Sequence, residues 1–222
     1  MCFSATGSFG AAVVLAGIGT FSLAQDKLPS HKMLAALPLL FAVQQVAEGV
    51  VWKTLDQPQH ASLHAFAVAV FLSFALAIWP IWVPMSLRLA ETDLRRRRAL
   101  SVLSGVGLCV ALGAGATLIH GHPTAHVEGH RMAYSYTEIF ARRVTSLYLP
   151  LYIIPAVIPF FVSTLQQAKL LGSCLVIALV ATFFIERSTL TSVWCFFGAL
   201  ISGMIVLAIA AEHRLAVSLK PA

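Results

Sequence analysis

The sequence predicts an all-α fold, an integral membrane bundle of seven transmembrane helices with the N-terminus outside and the C-terminus inside. Three observations predict it. Of the 222 residues, 59% are hydrophobic and only 11% charged, whereas a soluble domain carries roughly 25% charged residues. The mean hydropathy is +0.85. The charges fall into short connections between long apolar runs, and the basic ones are divided unequally between alternate connections. No linker splits the chain, so residues 1–222 read as a single seven-helix domain. The first lysine is Lys27, so the N-terminus lacks the basic region of a cleaved signal.

About 20 apolar residues cross a bilayer as a helix. The spans fall at roughly 5–24, 33–53, 61–87, 99–119, 146–165, 170–186 and 190–211. Span 1 carries no charge before Asp26. Span 2, over 33–53, holds Gln44, Gln45 and Glu48. Span 3 opens at His60 and His64 and contains Pro80 and Pro84, which predict a kink. Span 4 lies between Arg98 and His120 without a charge, and span 5 carries Pro150, Pro155 and Pro159. Span 6, the shortest, ends at Glu186, and span 7 is uncharged from Arg187 to Glu212.

One set of connections holds ten basic residues, among them Arg95 to Arg98, and the other holds five. The basic excess marks the cytoplasmic side. The net charge of +6 therefore reads as topology rather than nucleic-acid binding. The bilayer is the partner it implies, with anionic headgroups as a second role for the arginine run. Trp79 and Trp82 are expected in an inner aromatic belt, and Trp52 and Trp194 in an outer one.

On this map the reactive side chains collect at the outer ends. Glu48 lies 15 residues after Met33, roughly 22 Å along its helix. An ionisable group there is costly and usually faces a bundle interior or cavity. Gln44, Glu48 and Trp52 follow at i, i+4, i+8, and Gln45 sits three residues before Glu48, so one polar stripe holds all four. Helix packing is the alternative role for Glu48. His60 and His64 have the i, i+4 spacing of paired metal ligands. Residues 120–130, HGHPTAHVEGH, hold four of the eight histidines. They open a connection of roughly 27 residues, and loops that long are often functional. Imidazole with carboxylate suits zinc, copper, iron or nickel. The expected metal ligands are Glu48, His64, His120 and His130, with zinc the expected ion. Glu186 is the catalytic candidate, as a general base or an outer-shell partner. Cys2 and Cys195 both lie at outer helix ends, where a disulfide, thiolate ligation or two free thiols are equally open. Cys109 and Cys174 lie within spans and are expected to be packing residues.

Several stretches are familiar together: MCFSA at 1–5, QQVAEGVVW at 44–52, WPIWVP at 79–84 and SVWCFF at 192–197. They resemble an uncharacterised family of small bacterial multi-pass membrane proteins, a domain of unknown function. The resemblance implies a protein of the bacterial inner membrane. It places Cys2, Glu48, Trp52, Pro80, Pro84, Trp194 and Cys195 at motif positions. GHRMAY at 129–134 is a looser match through His130 and Tyr134, while His120, His122 and His126 have no place in the pattern. The resemblance brings no activity.

Three functional readings follow. The first is a metal-dependent membrane enzyme with its site at the outer ends of the helices. The second is a receptor or sensor of a small-molecule or lipid ligand at the outer face, without metal, its pocket lined by Gln45, Glu48, Trp52 and Trp194. The third is a transporter, ranked last because the inner half lacks a charged lining. A retinal-binding protein is excluded, because span 7 has no lysine. The oligomeric state is not legible.

Overall fold

The computed structural model describes residues 4–25, 29–129, 131–135 and 138–185, together with 198, 199, 202 and 203. The chain forms α1 (Ala5–Gln25), a short α2 (Lys32–Ala35), α3 (Leu37–Thr54), α4 (Ala61–Ser73), α5 (Trp79–Ala90) and α6 (Leu94–His120). A hairpin of β1 (Thr124–Glu128) and β2 (Arg131–Ser135) follows, then α7 (Glu138–Val162) and α8 (Gln166–Ile185). Among the described residues, four helical segments are long and apolar enough to cross a membrane: Ala5–Gln25, Pro29–Thr54, Pro58–Ala90 and Leu94–His120. They mark a helical membrane protein. Pro150–Val162 and Ala168–Ala181 are shorter apolar helices. The expected seventh span falls mostly outside the described residues.

The helices alternate in direction. A Cβ added at Gly19, near the end of α1, would meet Leu39, while one at Gly49 would meet the ring of Phe9. These contacts pair the start of α1 with the end of α3. Trp82 Nε1 donates to the carbonyl of Met33 (3.0 Å), and His64 sits beside Thr54, so α4 and α5 run back along α3. Arg88 Nε donates to Ser101 Oγ (2.7 Å), and Arg96 donates to the carbonyl of Val162 (2.7 Å). One end of the bundle therefore carries residues 29–31, 91–93 and 163–165, and the other carries 55–60 and the hairpin.

Span 3 passes its two prolines without a break. Pro80 has no N–H for the carbonyl of Leu76. The backbone answers with a π-helical turn over Phe74–Ile78, in which the Trp79 N–H bonds the Phe74 carbonyl. The freed Leu76 carbonyl accepts from the Tyr148 hydroxyl of α7 (2.7 Å). Such re-satisfaction by neighbours is what lets proline sit within a membrane helix. Pro84 likewise frees the carbonyl of Pro80. Gly107 of α6 lies directly against that carbonyl, where an added Cβ would collide with it.

Four expectations change. The connection after His120 contains a hairpin: its residues alternate between faces, with Ala125, Met132 and Tyr134 packed on the core beside Val51 and Phe71. Gly129, at positive φ, serves the tight turn. The arginine run lies within the first turns of α6, which starts at Leu94 behind the cap of Asp93 (Arg96 N to Oδ1, 2.9 Å). Trp79 is interior, not part of a belt, because its indole finds a partner on α3. Of the two cysteines expected to pack, Cys109 is exposed on α6 and Cys174 is half-buried.

Candidate functional site

The site is built on α3, the most enclosed of the spanning helices, with α1 and α4 packed along it. Gln44, Gln45 and Glu48 all have 0% exposure. The spacing read from the sequence turns them into one interior stripe. Gln45 Nε2 donates to Glu48 Oε2 (3.1 Å). Trp79 Nε1 donates to Gln44 Oε1 (3.0 Å), and the Trp79 ring stacks on Phe41 with centroids 4.0 Å apart. These bonds fix which end of each amide is which. Gln44 Nε2, Gln45 Oε1, Trp52 Nε1 and Ser8 Oγ are buried and have no hydrogen-bond partner among the described residues. A buried polar atom left so costs about 1–3 kcal/mol. Helix packing alone does not call for that cost.

Below the stripe, toward the arginine end, the helices line a cavity of about 50 Å³. Its wall comes from Leu37 and Phe41 of α3, Trp79 and Val83 of α5, Tyr152, Ala156 and Phe160 of α7, and Leu171 and Leu175 of α8, with Gly198 and Ser202. Phe41 and Trp79 thus belong to both the stripe and the cavity.

His64 lies at the hairpin end, half-buried, with Nδ1 2.9 Å from Thr54 Oγ1. Thr54 Oγ1 also reaches the Val50 carbonyl at 2.8 Å. A hydroxyl has one proton. The assignment that meets both contacts has Thr54 donating to Val50 and His64 Nδ1–H donating to Thr54, which leaves Nε2 as an acceptor. His64 and Thr54 line an open cleft of about 350 Å³ with Asp56 and Gln57.

The remaining predicted residues scatter. His60 is exposed at the start of α4, so it does not share the half-buried setting of His64. His120 is exposed at the end of α6. His126 is exposed on β1, 3.4 Å from Ser135 Oγ. Tyr134 stacks on Phe71 with centroids 4.7 Å apart, which anchors the hairpin. Trp52 packs beneath the hairpin. Cys2, His130, Glu186, Trp194 and Cys195 lie outside the described residues. Among the described residues no three His, Cys, Asp or Glu side chains converge as a metal group. Glu48, His64 and His120 are therefore not drawn into one centre.

Sequence reasoning missed Glu91. Its carboxylate joins the loop before α6 to the loop before α8. Oε1 accepts from Thr92 N (3.0 Å), Asp93 N (3.1 Å) and Thr164 Oγ1 (2.9 Å), and Oε2 from Thr164 N (2.8 Å) and Ser163 Oγ (3.2 Å). Burial pushes its pKa up, but the bonds from Thr164, Asp93 and Ser163 together outweigh that and hold it below the ordinary carboxylate value. The available signal was an acid set directly after a span, in a chain with only nine.

No curated protein and no solved structure matches this chain. A family model does match, over residues 1–220, and by that near-complete match the chain belongs to DUF6629, a family of unknown function.

Proposed function

We propose that this is a receptor or sensor of the bacterial inner membrane, with seven helices, the hairpin end outward and the arginine end inward, that binds a small ligand at the polar stripe of α3. The observation that carries the reading is the burial of Gln44, Gln45 and Glu48 together with polar atoms on both glutamines that are unmet among the described residues. Buried polar groups are ordinarily paired, and polar residues within a membrane helix usually mark a functional path or pocket. Trp52 extends the lining toward the hairpin, and Gly198 packs on Phe41. The basic excess supports the orientation.

The test is native mass spectrometry with elemental analysis of protein purified without a histidine tag. The expected result is a co-purifying organic molecule, absent from Glu48→Gln and Gln45→Met, and no stoichiometric transition metal. Neither molecule nor metal would return the stripe to a packing role.

One observation favours a second reading. His64 has its Nδ1 engaged by Thr54, the oriented arrangement of ligating histidines. In that reading a zinc-dependent membrane enzyme adds Glu48, His120 and His130 as ligands and Glu186 as base. Stoichiometric zinc that is lost in His64→Ala would select it.

A further inference from the structure

The polar stripe and the cavity below it share two side chains. Trp79 gives its N–H to Gln44 and its ring to the cavity wall; Phe41 stacks on Trp79 and lines the same space. The wall is otherwise Leu, Val, Ala, Gly, Phe and Tyr, and the Ser202 hydroxyl is spent on the Ala199 carbonyl (2.8 Å). A cavity so lined stays dry and accepts apolar groups.

The chemistry above it is equally specific. Among the described residues, Gln44 Nε2 is a donor without an acceptor, and Gln45 Oε1 is an acceptor without a donor. A group that both donates and accepts is the chemical complement of this pair. A carboxylate cannot donate, and it would sit beside Glu48. An ammonium cannot accept from Gln44. A hydroxyl and a primary amide do both.

Resting on the receptor reading, we infer that the ligand is amphipathic: an alcohol or primary-amide head set against Gln44 and Gln45, with a short apolar tail in the cavity beneath Trp79. The tail adds apolar burial to a head that water could otherwise replace.

The probes are acetamide, which is nearly all head, and hexanamide, which adds the tail. Both are titrated calorimetrically into the full chain in detergent. Hexanamide is expected to bind about tenfold tighter than acetamide or better. Ala156→Leu, which fills the cavity from α7, should weaken hexanamide by about tenfold and leave acetamide unchanged. Val83→Ile narrows the same wall and replaces that variant if it does not fold. Because both amides enter micelles alike in wild type and variant, the variant controls for partition. Equal binding of the two amides, or hexanamide binding indifferent to the filled cavity, overturns the amphipathic ligand. A purely polar co-purifying molecule would then still uphold the receptor reading. If no molecule co-purifies and neither amide binds, both fall.

Discussion

Glu91 takes five hydrogen bonds from four residues on two loops, and it is 3% exposed. Its folded pKa lies below the unfolded one, so the stabilisation is complete above the unfolded value and is lost as the pH falls through the folded value. Thermal melts are therefore expected to show stability falling below the ordinary carboxylate range, and Glu91→Gln should flatten that part of the profile. The variant should also cost about 2 kcal/mol at neutral pH, because donors built for a carboxylate are left poorly met. Tyr148→Phe poses a separate question at the same scale. It removes the donor to the Leu76 carbonyl, so a backbone group freed by Pro80 is left unmet within the bundle. A loss of about 1–3 kcal/mol in denaturant unfolding is expected. Wild-type stability would mean that the π-helical turn alone satisfies that carbonyl.

The hairpin and the α5–α6 contact depend on single small features. Met132 is fully buried in the cluster formed by α3 and α4. Met132→Ala should cost about 3 kcal/mol, and hydrogen exchange should rise over 124–135 before it rises in the helices. If exchange rises everywhere at once, the hairpin is part of the cooperative core rather than a unit docked on it. Gly107 admits the Pro80 carbonyl with no room for a methyl. Gly107→Ala forces α5 and α6 apart and should destabilise by about 2 kcal/mol. Gly105 and Gly113 on the same helix have open space around them. Alanine there should be tolerated, or should stabilise slightly through its better helix propensity.

For the whole molecule the testable quantity is sidedness. The bundle has an arginine end, with Arg95 to Arg98 exposed on the first turns of α6, and a hairpin end. With the basic excess inside, a cysteine at Glu128 should react with an impermeant thiol reagent in intact cells. A cysteine at Thr92 should react only after the membrane is opened. The reverse pattern would invert the map and place the α3 stripe nearer the cytoplasm. The native Cys109 is exposed toward the outside of the bundle. Within the bilayer it meets lipid, so it should react slowly with the same reagent.

The helical membrane character, the positions of the first four spans within a few residues, and the polar stripe of α3 are legible in the sequence. Each is a local property: apolar length, charge placement and the 3.6-residue repeat are all counted along one stretch of chain. The hairpin is equally local, two short stretches paired about Gly129, but its histidines mask the period-2 pattern. The tertiary fold brings Gln44 to Trp79, 35 residues away, and lets Glu91 clamp Ser163 and Thr164 more than 70 residues on. It also decided that His64 turns to Thr54 while His120 faces outward. Sequence put His64 and His120 at the same level of the bundle, but level is one coordinate of three. Which faces meet is set by how helices rotate and cross to fill space, as where the Pro80 carbonyl enters at Gly107, and that packing depends on every neighbour at once.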